Sequence, residues 1–368
     1  MYEQLELEQQ LVMHLSRLHQ EVDEKEVREI LEKEIDWNLV FEYGNKNKVI
    51  YLIYYNMKQL GIDKFVPKYL SSLLEDAFYC NKVRNAEKLE ELDKVLSIFK
   101  EQGVACVPVK GGYLIDNVYN NRSARVTNDI DALILKKDIK KIECILTDLG
   151  YIVGEVNRRD NSIITPSREK KVLYKTKMYN LLPFTKPSEV VEHSFIVFDL
   201  SYALDFSLDT TPVEEMIECS IETNGKNQLL PEHFFVHMCC HHYREASHIE
   251  WIRIGKDLTV MKFCDVHSFV KMKMNKDTLN KAVLFAKKHG LEKAVYFTVY
   301  CLDILYHDGY ELDVLEQLEI EDKEFLFKFS DDGRTLNNVR KKDLWTSIFS
   351  EDNRDEIINN KPTYDLIS

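Results

Sequence analysis

Asp129-Ile130-Asp131-Ala132-Leu133-Ile134-Leu135 constrains this chain more than any other stretch: two acids, one isoleucine apart, enter an apolar run. So short and apolar a run reads as a buried strand. Side chains alternate along a strand, so both carboxylates fall on one face. Like charges this close repel unless a proton or a metal lies between them. The bland alternative is that Asp129 only terminates the strand and Asp131 sits on an exposed edge. An acid within so apolar a run then lacks the partner that burial demands. The pattern points to a divalent cation bridging two aspartates to a triphosphate.

Upstream, Val104-Ala105-Cys106-Val107-Pro108-Val109 is a second strand, with Pro108 placed near its end or on a sheet edge because it lacks a donor. Lys110, Gly111 and Gly112 follow it. A glycine pair lets the backbone approach a phosphate, and the first amides of the next helix, over Tyr113–Tyr119, attract anions. Lys110 lies beside the glycines. Arg125, four residues before Asp129, either folds over a triphosphate or pairs with a carboxylate; for both cations a plain surface role is the alternative. No G-x-x-x-x-G-K-S/T and no G-x-G-x-x-G occurs, so P-loop hydrolysis is disfavoured.

Nucleotide transfer commonly uses a third carboxylate to complete the metal site and to orient or deprotonate the acceptor hydroxyl. Asp199 ends the apolar run Phe195–Phe198 and is the leading candidate, with Asp205 and Asp209 as competitors. The histidines near Cys239-Cys240-His241-His242 do not form a metal site by spacing: His233, His237 and His241 share a helical face from which Cys240 points away, and H-E-x-x-H is missing. Asp257 is expected to pair with Arg253 on one helical face.

At 368 residues more than one core is expected, and only 12 Gly and 8 Pro argue for many helices. The fold class is α+β: a small mixed-sheet core over 101–215, a helical region over 1–100 and a helical region over 216–368. Expected helices include one starting at Pro67, one over Ala86–Gln102, and others over Ile139–Leu149, Ile252–Phe263, Leu279–His289 and Leu291–Tyr306. Trp37–Tyr54 is ambiguous. Further strands are expected at Tyr151–Val156, Lys171–Lys175 and Phe195–Leu200, and Asp331–Ser368 reads as peripheral. The net charge of -13 opposes broad contact with long nucleic acid. Eight cysteines without a C-x-x-C, no basic segment at the start and no apolar run of 18 residues together predict a cytoplasmic protein with no membrane span.

The block from Lys110 to Leu135 resembles the uncharacterised nucleotidyltransferase family of the polymerase-β-like superfamily. Its pattern of Lys-Gly, an aromatic such as Tyr119, an arginine four before the first acid, and Asp-x-Asp is met by Lys110, Gly111, Tyr119, Arg125, Asp129 and Asp131. A second family motif, an acid followed by Leu-His-Trp, is similar to Phe198-Asp199-Leu200-Ser201-Tyr202, with serine and tyrosine replacing histidine and tryptophan. His241-His242 and the Arg253–Asp257 turn look like the family's C-terminal region, so the likeness spans roughly residues 85–265. The resemblance implies a magnesium- or manganese-dependent transferase using an NTP, ATP among them. Asp129, Asp131 and Asp199 would ligate the metal, and Lys110, Gly111, Gly112 and Arg125 would bind the nucleotide. The acidic surface favours a small-molecule or protein acceptor. The altered second motif leaves a second reading, an inactive nucleotide-binding or regulatory protein on the same fold.

Overall fold

A computed structural model describes residues 2–157 and 159–350. The last part of the segment expected to be peripheral, beyond residue 350, lies outside the described residues. Four helices open the chain: α1 (Leu7–Leu15), α2 (Glu24–Leu31), α3 (Trp37–Lys46) and α4 (Ile50–Gln59). Trp37–Tyr54 is thus helical, with a break at Asn47–Val49 where Lys48 takes a left-handed φ of 58°. The helices expected at Pro67 and over Ala86–Gln102 are one, α5 (Lys68–Glu101), of 34 residues and about 50 Å. No glycine or proline interrupts it, and Gly103 follows at φ 65°.

The core sheet contains β1 (Cys106–Pro108), β2 (Ile130–Ile134), β3 (Ile152–Val153), β6 (Phe184–Pro187) and β7 (Phe195–Ser201), in the order β1-β2-β7-β6-β3. Only β2 and β7 run parallel. Pro108 is both the last residue of its strand and on a sheet edge, where a missing donor costs least. The strand expected over Tyr151–Val156 divides at Gly154: β4 (Glu155–Asn157) leaves the sheet to form a hairpin with β5 (Ser162–Ile164). A Cβ at Gly154 would lie 2.6 Å from the Ile164 carbonyl oxygen, so only glycine allows this approach.

One strand expectation is wrong. Lys171–Lys175 lies in the helix α8 (Arg168–Lys177). Lys-Val-Leu-Tyr-Lys does not alternate, Ser167 accepts the Lys170 amide as an N-cap, and Lys175 and Lys177 stand in the last turn, where cations oppose the helix dipole. The strand of the core sheet that sequence reasoning missed is β6, whose short Phe-Thr-Lys-Pro run gives no periodic signal.

Between the strands lie α6 (Gly111–Leu114), continued by a wider turn over Ile115–Tyr119, and α7 (Ile139–Asp148). The helix after β1 thus begins at the glycines themselves. After β7 come α9 (Thr211–Glu218), the hairpin β8 (Ile221–Thr223) and β9 (Lys226–Gln228), then α10 (Pro231–Ala246) and α11 (Ile249–Arg253). Then follow α12 (Val260–Lys273), α13 (Lys276–His289), α14 (Glu292–Leu305) and α15 (Tyr310–Leu318). The hairpin of β10 (Lys328–Phe329) and β11 (Asn338–Val339) and α16 (Leu344–Phe349) close the described chain.

A second correction concerns Ile252–Phe263. It is not one helix, because Gly255 at φ 63° breaks it between α11 and α12. Arg253 therefore pairs with Glu250 at 2.5 Å, and the buried Asp257 takes Arg340 at 2.7 Å instead.

The two faces of the sheet see different cores. Ile130, Ala132, Ile134, Phe198 and Leu200 pack on Leu89, Leu92, Val95 and Phe99 of α5 and on Ile142 and Leu146 of α7. Leu133 joins the larger cluster that unites the N-terminal helices with α10 and α12–α15. Asp131 shares the face of Leu133 by alternation, so it faces toward α10 rather than α5. Among the described residues, no helix is long and apolar enough to cross a membrane.

Candidate active site

Asp129 and Asp131 enter and occupy β2, and Asp199 lies on β7. The parallel register sets Asp131 directly opposite Asp199, so two adjacent strands present their acids side by side. Carboxylate oxygens of Asp129, Asp131 and Asp199 lie within 4.8 Å of one another. Among the described residues this is the one group of three or more His, Cys, Asp or Glu side chains so arranged. Asp205 and Asp209 lie outside it and cap local turns, accepting the Ser207 and Thr211 amides.

Burial and crowding make this an electrostatically uncomfortable place. Burial pushes the Asp131 carboxyl up to about 7; Lys110 pulls it down, while Asp129 and Asp199 add to the rise. Asp199 is also raised, first by burial, with Lys110 opposing and Asp129 reinforcing. One ammonium and one amide serve the group. Lys110 Nζ donates to Asp131 Oδ1 at 2.6 Å, and Asn180 Nδ2 donates to Asp199 Oδ1 at 2.8 Å. The Asp129 carboxylate has no hydrogen bond or ion pair among the described residues.

Lys110 sits at φ 47° and ψ −124°, a conformation L-residues avoid, so strain is stored where the side chain is aimed at Asp131. Burial alone lowers its affinity for a proton, but Asp131, Asp129 and Glu245 more than reverse this, and the side chain stays charged. The glycines after it have a steric reason. A Cβ on Gly111 would lie 2.5 Å from Thr127 Oγ1 and 2.8 Å from Arg125 Nη1, and one on Gly112 would press against Leu92 at 3.1 Å. The turn is therefore clamped between α5 and the loop that leads into β2.

Arg125 makes the carboxylate pairing. Its guanidinium is buried and binds Asp265 of α12 through Nε (2.9 Å) and Nη2 (2.7 Å), and it also donates to Thr127 Oγ1 at 2.9 Å. Tyr119 donates its hydroxyl to the same Asp265 at 2.8 Å. From the other side α5 grips this loop. Asn81 donates to the carbonyls of Ser123 and Arg125, Asn85 to those of Arg122 and Arg125, and Lys88 to that of Thr127. These residues, with Asp265 and Asn180, are what sequence reasoning missed. The only signal was a row of polar residues at helical spacing, Asn81, Asn85 and Lys88, on a face that continues into Leu89 and Leu92.

The histidines of α10 are packed rather than ligating. His233, His237 and His242 are buried and held below their usual range, chiefly by desolvation, while His241 shares a hydrogen bond with Arg244 at 2.9 Å. Beside Asp129 and Asp199 opens a cleft of about 360 Å³ whose walls include Tyr174, Tyr179, Phe206 and Trp251. Tyr202, which stands where the related motif has tryptophan, donates to the Met178 carbonyl at 2.6 Å and so ties the end of α8 to β7.

A mixed sheet with acids on two neighbouring strands, a strand–glycine–helix turn beside them and helices on both sides defines a nucleotidyltransferase-like core. The family described as uncharacterised nucleotidyltransferase, of the polymerase-β-like superfamily, matches residues 33–307, about three quarters of the sequence, and the chain belongs to that family. Its match begins ahead of α3 and ends beyond α14, so it takes in the sheet and its helical flanks on both sides. No curated protein matches the sequence.

Proposed function

We infer that the protein transfers a nucleoside monophosphate from an NTP to a hydroxyl of a small-molecule or protein acceptor and releases pyrophosphate. The convergence of Asp129, Asp131 and Asp199, in a chain of this family, carries the reading. The donor set fits a hard divalent cation: oxygen ligands only, mutually repelling, with one carboxylate lacking a hydrogen-bond or ion-pair partner among the described residues. Magnesium or manganese held there would neutralise the phosphates and ease in-line attack at the α-phosphorus.

The chain's own groups divide the remaining work. Lys110 balances the acids before substrate arrives and, together with the turn at Gly111 and Gly112, offers positive charge to the phosphates. Asp199, kept in place by Asn180, borders the cleft and is the group positioned to take the acceptor proton as its oxygen bonds to phosphorus and the bond to the leaving pyrophosphate breaks. Arg125 serves by holding the loop to α12 through Asp265, keeping Asp129 in register. The size of the cleft supports a small acceptor.

Titration calorimetry with the four common NTPs, with and without magnesium, followed by transfer of labelled nucleotide, tests this reading. Magnesium-dependent affinity and transfer are expected. No magnesium-dependent affinity for any NTP would overturn it. Affinity without transfer would favour the regulatory reading, which the Ser201-Tyr202 departure supports.

A further inference from the structure

The segment from Gly154 to Leu182, between β3 and β6, carries a second and larger opening beside the aromatic cleft. This groove, of about 790 Å³, is lined by residues of the β4–β5 hairpin, of the turn before α8 and of α8 itself. Its apolar lining is aliphatic: Ile164, Pro166, Val172, Leu173 and Leu182, with Ile164 and Val172 still 50% and 55% exposed. Groove and cleft are neighbours. Glu155 lines both, and α8 contributes Leu173 to the groove and Tyr174 to the cleft. Just past the end of α8, Tyr179 and Asn180 line the cleft, and Asn180 is the donor to Asp199.

Two features say what occupies the groove. Its walls are unfinished: α8 buries none of its ten residues, and β4 and β5 form a sheet of two strands only. A short helix draws its stability from packing an apolar face, and a lone hairpin is marginal, so both gain from a chain laid against them. The second feature is charge. α8 carries Arg168, Lys170, Lys171, Lys175 and Lys177 against Glu169 alone, in a chain of net charge -13. Lys170 pairs with Glu155 at 2.7 Å, whereas the side chains of Arg168, Lys171 and Lys175 have no hydrogen bond or ion pair among the described residues. Cations gathered on an otherwise acidic protein attract an acidic partner. Among the described residues no aromatic side chain lines the groove, so nucleic-acid bases find nothing to stack on, and Glu155 and Glu169 repel phosphates. An aliphatic lining beside a basic helix instead suits a polypeptide with both acidic and aliphatic side chains.

We propose that this groove docks an acidic, aliphatic-rich polypeptide and that a side-chain hydroxyl of this polypeptide is the acceptor. The cleft of about 360 Å³ takes the one side chain while the groove holds the chain beside it. The docking stands by itself; the acceptor role rests on the nucleotidyl-transfer reading. In that role the hydroxyl oxygen bonds to the α-phosphorus, its proton passes to Asp199, and pyrophosphate leaves.

The probe is a pool of fluorescent peptides of about twelve residues, ~40 Å when extended, alternating Glu or Asp with Leu, Ile or Val around one Ser, Thr or Tyr. By anisotropy the pool is expected to bind the full chain without nucleotide or metal, more weakly as salt rises, and a pool with Lys in place of the acids is expected not to bind. Val172→Asp and Arg168→Glu should each weaken binding about tenfold. As a check needing no variant, benzophenone-bearing peptides of the pool should cross-link, by mass spectrometry, between Ile164 and Lys177. No binding of the acidic pool, unchanged affinity in both variants, cross-links confined to other segments, or tighter competing binding of oligouridine would each overturn the docking. So would a native dimer that Val172→Asp splits, since the groove would then belong to a second copy. Docking together with transfer to small molecules but never to the peptides would sink the acceptor role. Docking in a protein that transfers no nucleotide at all would sink the transfer reading and leave the docking standing.

Discussion

Arg125 and Asp129 stand four residues apart on one segment, yet the Arg125–Asp265 pair and the Asp129–Asp131–Asp199 group balance charge in opposite ways. In the first, a buried guanidinium meets a buried carboxylate in a two-pronged geometry, with Tyr119 and Thr127 taking further lone pairs and donors. Every charge there has a protein partner. In the second, three carboxylates share one lysine and one amide among the described residues, and Asp129 has neither. The lesson is that buried charge serves two ends a few residues apart. One cluster closes a loop onto α12; the other leaves a deficit of positive charge that a ligand is needed to fill.

The largest expected effect falls on the second cluster. Asp129→Asn or Asp131→Asn should each lower nucleotide transfer by at least about a thousandfold, since several kcal/mol of charge stabilisation is at stake, without lowering the melting temperature. Near-full activity in either variant would break the contrast. Arg125→Met should do the reverse in kind. It leaves Asp265 buried and unpaired, which costs about 3–5 kcal/mol of stability in denaturant melts. A stable Arg125→Met protein would show that this pair is not structural. Magnesium or manganese at about a hundred times its dissociation constant should then stabilise the native protein by roughly 2.7 kcal/mol, and should do so little in Asp131→Asn. Equal stabilisation of both would remove the metal from this site.

The smallest effect separates either cluster from the ordinary acid response of buried histidines. His14 and His248 are each held down to about 4, mainly by burial, and His248 accepts the Glu250 amide through Nδ1, which requires the neutral ring. Their unfolded value is near 6.5, so the unfolded chain takes up protons first as the pH falls. Their contribution is complete above about 6.5 and is lost progressively toward 4. Asp131, raised to about 7, works in the opposite direction across that window, so the histidine part is read by difference. Urea midpoints of the native protein should decline more steeply, or rise less, toward pH 4 than those of a variant with His14→Gln and His248→Gln, and equal slopes would contradict the buried, neutral assignment.

Much of the site was legible. Asp129 and Asp131 follow from strand periodicity, a local property, and Asp199 from its place at the end of a second apolar run. Gly111 and Gly112 were legible as a tight turn, but what they avoid, Thr127, Arg125 and Leu92, was not. For Arg125 the sequence left two partners open, and only the arrival of α12 decided between them. Lys171–Lys175 misled because five residues with mixed polarity carry too little pattern to tell a helix from a strand. Gly255 was the missed warning against a single helix through Ile252–Phe263.

Local order along the chain thus determined that two acids share a face, that a helix follows a glycine turn, and that helices flank a small sheet. The tertiary structure decided that β2 and β7 lie side by side in a register that brings Asp199 opposite Asp131, that α5 clasps the loop before them, and that the turn at Asn47 docks on the start of α12. The division has a physical cause. Periodicity is set by backbone geometry within a few residues, whereas these meetings join positions tens to hundreds of residues apart, and only the packing of whole elements against common cores selects them.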